Sequence, residues 1–139
     1  MKRSILACIA ALVTWVIVVS VINRVLRLAL PGYTVAEQTL QFTFAMKIAR
    51  LLMAAATSIA AGAVALWISP NRWVPWIVGG IVLAIFLPVH IAIWSKLPAW
   101  YHLTFLLTIV PLVLLGARLP AQRKEEAMGG IGHPASSRG

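Results

Sequence analysis

The chain has 139 residues, of which 61% are hydrophobic and only 11% are charged, and its formal net charge is +9. Ordinary soluble domains carry about 25% charged residues. A soluble domain of this size cannot bury so much apolar surface, so we expect an integral membrane protein that is covered by lipid. Cys8 is the only cysteine, which excludes an internal disulfide, a CxxC redox pair and a thiolate zinc site.

The excess of cations has two interpretations. In a soluble protein it would indicate nucleic-acid binding. Here the 12 Lys and Arg residues flank apolar runs, and such cations anchor helix ends to anionic lipid headgroups. We therefore expect the lipid bilayer and its anionic headgroups as partners, and no nucleic acid.

The first apolar run covers residues 4–22 and follows Lys2 and Arg3. It exceeds the roughly 7–15 residues of a signal-peptide core, and no small-x-small cleavage site follows it. The pattern therefore predicts an uncleaved spanning helix. We expect this helix to continue along the interface to about Leu30, where Pro31-Gly32 ends it.

The second run, residues 51–68, belongs to a longer helical pattern. Thr34-Val35-Ala36-Glu37 matches a capping box, in which Thr accepts a backbone N–H and Glu reaches back. The pattern predicts one helix from Val35 to about Ile68, which is about 50 Å long. Because the hydrocarbon layer is only about 30 Å thick, the first part of this helix is expected to tilt, lie in the interface or protrude.

The third and fourth runs cover residues 73–94 and 99–117. Pro70-Asn71-Arg72 and the segment from Ser95 to Pro98 make turns so short that successive spans must be antiparallel. We thus predict an all-α membrane protein with four transmembrane helices in an up-down bundle, formed by residues 1–119.

From Pro120 onward the composition changes to Gly, Ser, Pro and charge. This composition predicts a disordered basic tail over residues 120–139.

Charge also predicts the orientation. Four spans put both termini on one side, and that side carries seven cations against five on the other. The positive-inside rule then favours cytoplasmic termini. The seven are Lys2, Arg3, Arg72, Arg118, Arg123, Lys124 and Arg138, and the five are Arg24, Arg27, Lys47, Arg50 and Lys96.

Four of these cations are predicted to gather at one mouth of the bundle, namely Arg24, Arg27, Lys47 and Arg50. Lys47 and Arg50 lie on a polar stripe of the second helix that continues with smaller residues at greater depth. One interpretation is that the stripe packs against neighbouring helices while Lys47 and Arg50 snorkel to the headgroups. The other is a cationic vestibule that binds an anionic lipid headgroup or solute, because Glu37 alone cannot neutralise four cations.

Small residues predict close helix packing in membranes. Two sets stand out, one on the second spanning helix and one on the third. They are Ala54, Ser58 and Gly62, and Gly79, Gly80 and Ala84.

His90 lies near the end of the third span and His102 near the start of the fourth, so the short turn places them at similar depth. Two facing imidazoles can ligate haem or a metal, or relay protons. The alternative is a hydrogen bond at the interface or to a backbone carbonyl that Pro88 leaves free. Carboxylate or thiolate partners for a metal are missing, so we expect no cofactor.

The segment from Pro98 to Leu106, with Pro111-Leu112 and Gly116-Ala117-Arg118, is similar to the last helix of small uncharacterised four-helix inner-membrane proteins of bacteria. Residues 1–119 share the general pattern of these proteins. The resemblance implies four spans and a bacterial inner membrane, and it implies no activity.

The sequence carries no acid inside a span, no nucleophile–base pair and no phosphate-binding glycine loop, so we do not expect an enzyme. It favours a small accessory or assembly partner of a larger membrane system, packed through its small-residue faces against another protein or a second copy. The alternative is a homo-oligomeric transporter or channel for an anionic or amphipathic solute. A third hypothesis is a haem or metal site at His90 and His102.

Overall fold

The computed structural model describes the backbone of residues 1–129 and the side chains of residues 1–120. Over this part the chain is all-helical. Four of its helices are long and apolar enough to span a membrane, so the predicted fold class is confirmed and the chain is an integral membrane protein. The helices are α1 Lys2–Ala29, α2 Tyr33–Thr39, α3 Phe44–Ile68, α4 Trp73–Ala92 and α5 Ala99–Gly129.

The long helix α3 is the centre of the bundle. It packs along α5 and α1, while α4 packs on α5 and less extensively on α3 and α1. The links from α3 to α4 and from α4 to α5 are short, so these spans are successively antiparallel and α3 runs parallel to α5. Arg3 Nε donates to the Ile68 carbonyl at 2.8 Å, so the N-terminus of α1 lies beside the α3–α4 turn.

The closest helix contact is the crossing of α3 and α5. A Cβ added to Gly62 would overlap the backbone carbonyl of Val113, and a Cβ added to Gly116 would overlap that of Ile59. The two backbones touch because glycine leaves no side chain between them. Ala54 and Ser58 are buried on α3 together with Gly62.

The predicted small face of α4 is divided between the inside and the outside of the bundle. Gly79 is buried, and a Cβ added there would lie 3.3 Å from the Cα of Val110. Gly80 and Ala84 are exposed, and nothing lies within 4 Å of a Cβ added to Gly80. Within the chain, then, only Gly79 of these three serves close packing.

The prediction of one continuous helix from Val35 to Ile68 is wrong. Helix α2 ends at Thr39, Leu40 has a left-handed φ of 58°, and α3 starts only at Phe44. A continuous helix would project its first turns out of the membrane without tertiary contacts. Folding back instead buries Tyr33 and Phe42 against the bundle.

The predicted capping box is also wrong. Gly32 is the N-cap of α2, and no side-chain hydrogen bond caps that end. The side chain that caps a helix here is Thr43, whose Oγ1 accepts from the backbone N–H of Met46 at 3.3 Å. Glu37 is thereby free to bond to other helices.

The tail predicted for residues 120–139 falls largely outside the described side chains. Residues 130–139 lie outside the described residues altogether. For residues 121–129 the structure gives the backbone, which continues α5.

Trp15, in the middle of α1, packs inside the bundle. It is 8% exposed, and its ring centroid lies 5.0 Å from that of Phe86 on α4. The tryptophans near the ends of the spans are exposed instead, as expected for residues at the membrane–water interfaces. These are Trp67, Trp73, Trp76, Trp94 and Trp100.

Candidate functional site

A second, smaller core lies at the end of the bundle opposite the chain's N-terminus. There α2 and the segment after it fold over α1, α3 and the start of α5. We call this region the cap. Its buried residues are Tyr33, Ala36, Phe42, Met46, Leu97 and Tyr101, and they are separate from the main transmembrane core.

Glu37 on α2 binds polar groups from two other helices. Its Oε1 accepts from Asn23 Nδ2 at 3.0 Å, and its Oε2 accepts from Arg27 Nε at 2.7 Å. On α3, Arg50 Nη1 lies 3.6 Å from Oε1. A single carboxylate thus connects α1, α2 and α3.

Arg50 extends this network to α5. Its Nη1 donates to the Tyr33 hydroxyl at 3.0 Å and its Nε donates to the Tyr101 hydroxyl at 3.3 Å. The guanidinium carbon lies 4.6 Å above the ring of Phe42, within the range of a cation–π contact. The charge is therefore held by a carboxylate, two hydroxyls and an aromatic face.

The Tyr33 hydroxyl links Arg50 to Asn23 by two hydrogen bonds. It accepts from Arg50 and donates to Asn23 Oδ1 at 3.1 Å. Burial raises the pKa of the Tyr33 phenol, although the neighbouring Arg50 acts in the opposite direction. We call the whole set the Arg50 cluster: Asn23, Arg27, Tyr33, Glu37, Phe42, Arg50 and Tyr101.

The structure brings together only two of the four cations that were predicted to form a vestibule. Arg27 and Arg50 are joined through Glu37. Arg24 is exposed on α1 and Lys47 is partly buried on α3, and neither bonds to the Arg50 cluster. The cations therefore do not line one common mouth in the described structure.

Arg24 lies instead in an open groove on the outer surface of α1. The groove has a volume of about 490 Å³. Its polar lining consists of two guanidiniums, an amide and a hydroxyl. The lining residues are Ser20, Val21, Asn23, Arg24 and Arg27.

His90 and His102 meet inside the bundle, at the same end as the Arg50 cluster. Their Nδ1 atoms are 2.9 Å apart, and both side chains are buried. Phe105 stacks on His90 at a centroid distance of 4.4 Å, and Trp94 stacks on His102 at 4.7 Å. The two imidazoles thus bond to each other, within an aromatic enclosure.

The orphaned nitrogen of His102 suggests which ring carries the shared proton. One Nδ1 must donate and the other accept, and the buried Nε2 of His102 has no hydrogen-bond partner. A buried acceptor without a partner is tolerated better than a buried donor. We therefore assign the Nδ1 proton to His102, which donates to His90.

This arrangement gives little support to a haem or metal at the histidine pair. The two Nδ1 atoms are hydrogen-bonded to each other. His102 is 0% exposed, so a haem could not reach its ring. Among the described residues, no group of three His, Cys, Asp or Glu side chains is placed to hold a metal ion.

Tyr101 connects the histidine pair to the Arg50 cluster, because it accepts from Arg50 and stacks on His90 at 6.1 Å. Sequence reasoning missed Asn23, Tyr33 and Tyr101, since their partners are distant along the chain. One feature of the sequence could have indicated the cluster. Glu37 is the only acid before residue 125, so several cations were available to form an ion pair with it.

Comparison of the chain with protein-family models, curated proteins and solved structures gave no match. The resemblance of residues 98–118 to small bacterial inner-membrane proteins stays a prediction.

Proposed function

We propose that this protein is a non-enzymatic accessory or assembly partner of a larger membrane system and that it docks through the outward side of α4. The observation that carries the proposal is a sunken patch on that side, at Gly80 and Ala84. At about 100° per residue the residues of this surface lie within a narrow arc of the helix. We call it the α4 face: Trp73, Ile77, Gly80, Ala84, Leu87 and Ile91.

Large exposed side chains lie on both sides of the sunken patch. Trp73 and Ile77 lie toward one end and Ile91 toward the other, each at least half exposed. A helix of another protein can approach the backbone at Gly80 and Ala84 closely, as in other small-xxx-small contacts between membrane helices. The α4 face therefore has a shape that suits a partner helix.

The outward side of α1 has a different character and provides a control surface. Ile9, Val13 and Ile17 are each about half exposed, and these branched residues form a continuous bulky surface. Such a surface suits flexible lipid chains better than a second helix backbone.

The transporter alternative has less support, because two of the four cations of its predicted mouth, Arg27 and Arg50, are engaged internally by Glu37. The guanidinium of Arg50 already binds Tyr33 and Tyr101 and lies beside Glu37. We assign the Arg50 cluster a structural role, in which it holds the cap on the bundle. The polar groups gathered there, within residues 1–120, bond to each other, which favours a non-enzymatic protein.

The proposed location is a bacterial inner membrane with both termini in the cytoplasm. The excess of seven cations over five on the side of the termini supports this orientation. The resemblance of the last span to small bacterial inner-membrane proteins supports the bacterial inner membrane as the location.

The proposal is tested by crosslinking in the native membrane. A photoreactive residue placed at Ala84 is compared with the same residue placed at Val13 on α1. We expect Ala84 to crosslink to one defined protein and Val13 to crosslink only to lipid. A second copy bearing a different tag distinguishes a homo-oligomer. Equal protein crosslinks at both positions, or only lipid at both, would contradict docking through the α4 face.

A further inference from the structure

The groove on α1 lies where a phospholipid headgroup is found. Ser20, Arg24 and Arg27 recur at helical spacing and so share one side of α1. Ser20 lies near the end of the apolar run of residues 4–22, and Arg24 and Arg27 follow directly on that run, where the headgroup region adjoins the hydrocarbon layer. The groove opens outward from the bundle, to where lipid lies.

The hydrogen bonds around the groove show which donors remain available. Arg27 uses its Nε for Glu37, which leaves its two terminal nitrogens. Arg24 is exposed, and its guanidinium makes no hydrogen bond to the described residues. The Ser20 hydroxyl is committed to the Val16 carbonyl at 2.7 Å, so the two arginines supply the binding groups.

We propose that this groove binds the phosphate group of an anionic phospholipid, with Arg24 and Arg27 as its ligands. Guanidinium groups present paired donors that match phosphate oxygens. Five cations and only one carboxylate occupy this end of residues 1–120, so the local charge favours an anion.

Free phosphate shares this chemistry, and the surroundings of the groove favour the lipid. Val21 lines the groove itself. Ile17 and Val25 lie four residues to either side of Val21 on α1, and all three are more than half exposed. They offer an apolar path for an acyl chain beside the two guanidiniums. An inorganic phosphate ion would make no use of that surface.

The site is tested by native mass spectrometry of the full chain, extracted in mild detergent and mixed with phosphatidylglycerol or phosphatidylcholine. Each basic contact at an anionic lipid surface is worth roughly fivefold in affinity. We expect a retained phosphatidylglycerol adduct that falls about fivefold in Arg24→Gln and about 25-fold when Arg27→Gln is added. Lys47→Gln is the matched control, because Lys47 belongs to the same end and does not line the groove.

The Glu37→Gln variant separates two roles of Arg27: binding of the lipid phosphate, and the ion pair with Glu37 that helps to hold the cap. The substitution removes a negative charge beside the groove and leaves Arg27 in place. The proposal predicts that phosphatidylglycerol binds at least as well as to the native protein. If Glu37→Gln loses as much binding as Arg27→Gln does, Arg27 acts only through the cap and the proposal fails. Thermal unfolding of each variant confirms that it is folded.

Three further results would overturn the proposal: equal binding of phosphatidylcholine, full retention in Arg24→Gln, or an equal loss in Lys47→Gln. Displacement of the lipid by inorganic phosphate would show that the groove takes the free ion instead. The proposed docking through the α4 face is independent of this site, and Gly80→Leu is expected to keep the lipid.

Discussion

The cap and the α3–α5 crossing are held together by different forces. At the crossing, Gly62 and Gly116 bring two backbones into contact among apolar side chains. In the cap, Glu37 and Arg50 connect four helices by hydrogen bonds and ion pairs. In the hydrocarbon layer helices associate mainly by close packing, whereas buried charges persist only where partners surround them.

The two regions therefore tolerate different substitutions. The crossing depends on the absence of side-chain atoms, so adding one methyl group is enough to damage it. The cap depends on the presence of specific donors and acceptors, so removing one leaves others without partners. Variants that add atoms at the crossing, or remove donors from the cap, test this contrast.

The largest effect is expected at the crossing. Gly62→Ala places a Cβ against the Val113 carbonyl, which forces α3 and α5 apart. We expect a loss of about 3 kcal/mol in the free energy of unfolding, measured by detergent-induced or thermal unfolding. Gly116→Ala should behave similarly. A native-like midpoint for either variant would show that the two helices do not touch there.

The second effect is expected in the cap. Arg50→Gln removes the charge that Glu37, Tyr33 and Tyr101 share, and we expect a loss of about 2 kcal/mol. Arg50→Lys should recover only part of it, because an ammonium cannot reproduce the planar fork of donors. Lys47→Gln serves as the control, with an expected change within about 0.5 kcal/mol. Equal losses in Arg50→Gln and Lys47→Gln would contradict a specific cluster.

A smaller effect concerns pH. Burial raises the pKa of Tyr33 above its ordinary value of 10.0, so above that pH the folded protein holds a proton that the unfolded chain releases. The stability linked to Tyr33 is therefore present below pH 10 and is lost as pH rises further. Tyr33→Phe should flatten the decline of the unfolding midpoint in alkaline buffer. An unchanged decline would mean that Tyr33 titrates normally.

The smallest effect on stability is expected on the α4 face. Gly80→Ala adds a methyl group where nothing lies within 4 Å. We expect the free energy of unfolding to change by no more than about 1 kcal/mol. Compared with Gly62→Ala, this substitution isolates the steric cause at the crossing. Because alanine has a higher helix propensity than glycine, a loss as large as that of Gly62→Ala would show that the overlap with the Val113 carbonyl is not what distinguishes the two sites.

The spans were predictable and the cap was not, for a physical reason. Continuous apolar runs report the membrane directly, and residues 73–94 and 99–117 fall close to the observed α4 and the spanning part of α5. The cap joins Asn23, Glu37 and Tyr101, which sequence spacing cannot bring together. The break at Leu40 depends on tertiary contacts in the cap. These contacts bury Phe42, whereas a helix that continued through Leu40 would not.

The helix-packing residues show the same limit. Local spacing identified Gly62 and Gly79 as small positions, and both are buried. It could not separate Gly79 from Gly80, because only the position of α5 decides which of the two faces a neighbour. The role of Gly116 was missed for the same reason, since its importance lies in the carbonyl of Ile59 opposite it.

Docking through the α4 face is tested most directly by native mass spectrometry of the protein, gently extracted from its own membrane and compared with the Gly80→Leu variant and with Val13→Leu on α1. We expect a complex with a second membrane protein that survives Val13→Leu and is lost in Gly80→Leu, while the bundle stays folded. A complex that persists in Gly80→Leu would contradict docking through the α4 face. So would a homo-oligomer that retains an anionic solute and loses it in the combined variant Lys47→Gln with Arg50→Gln.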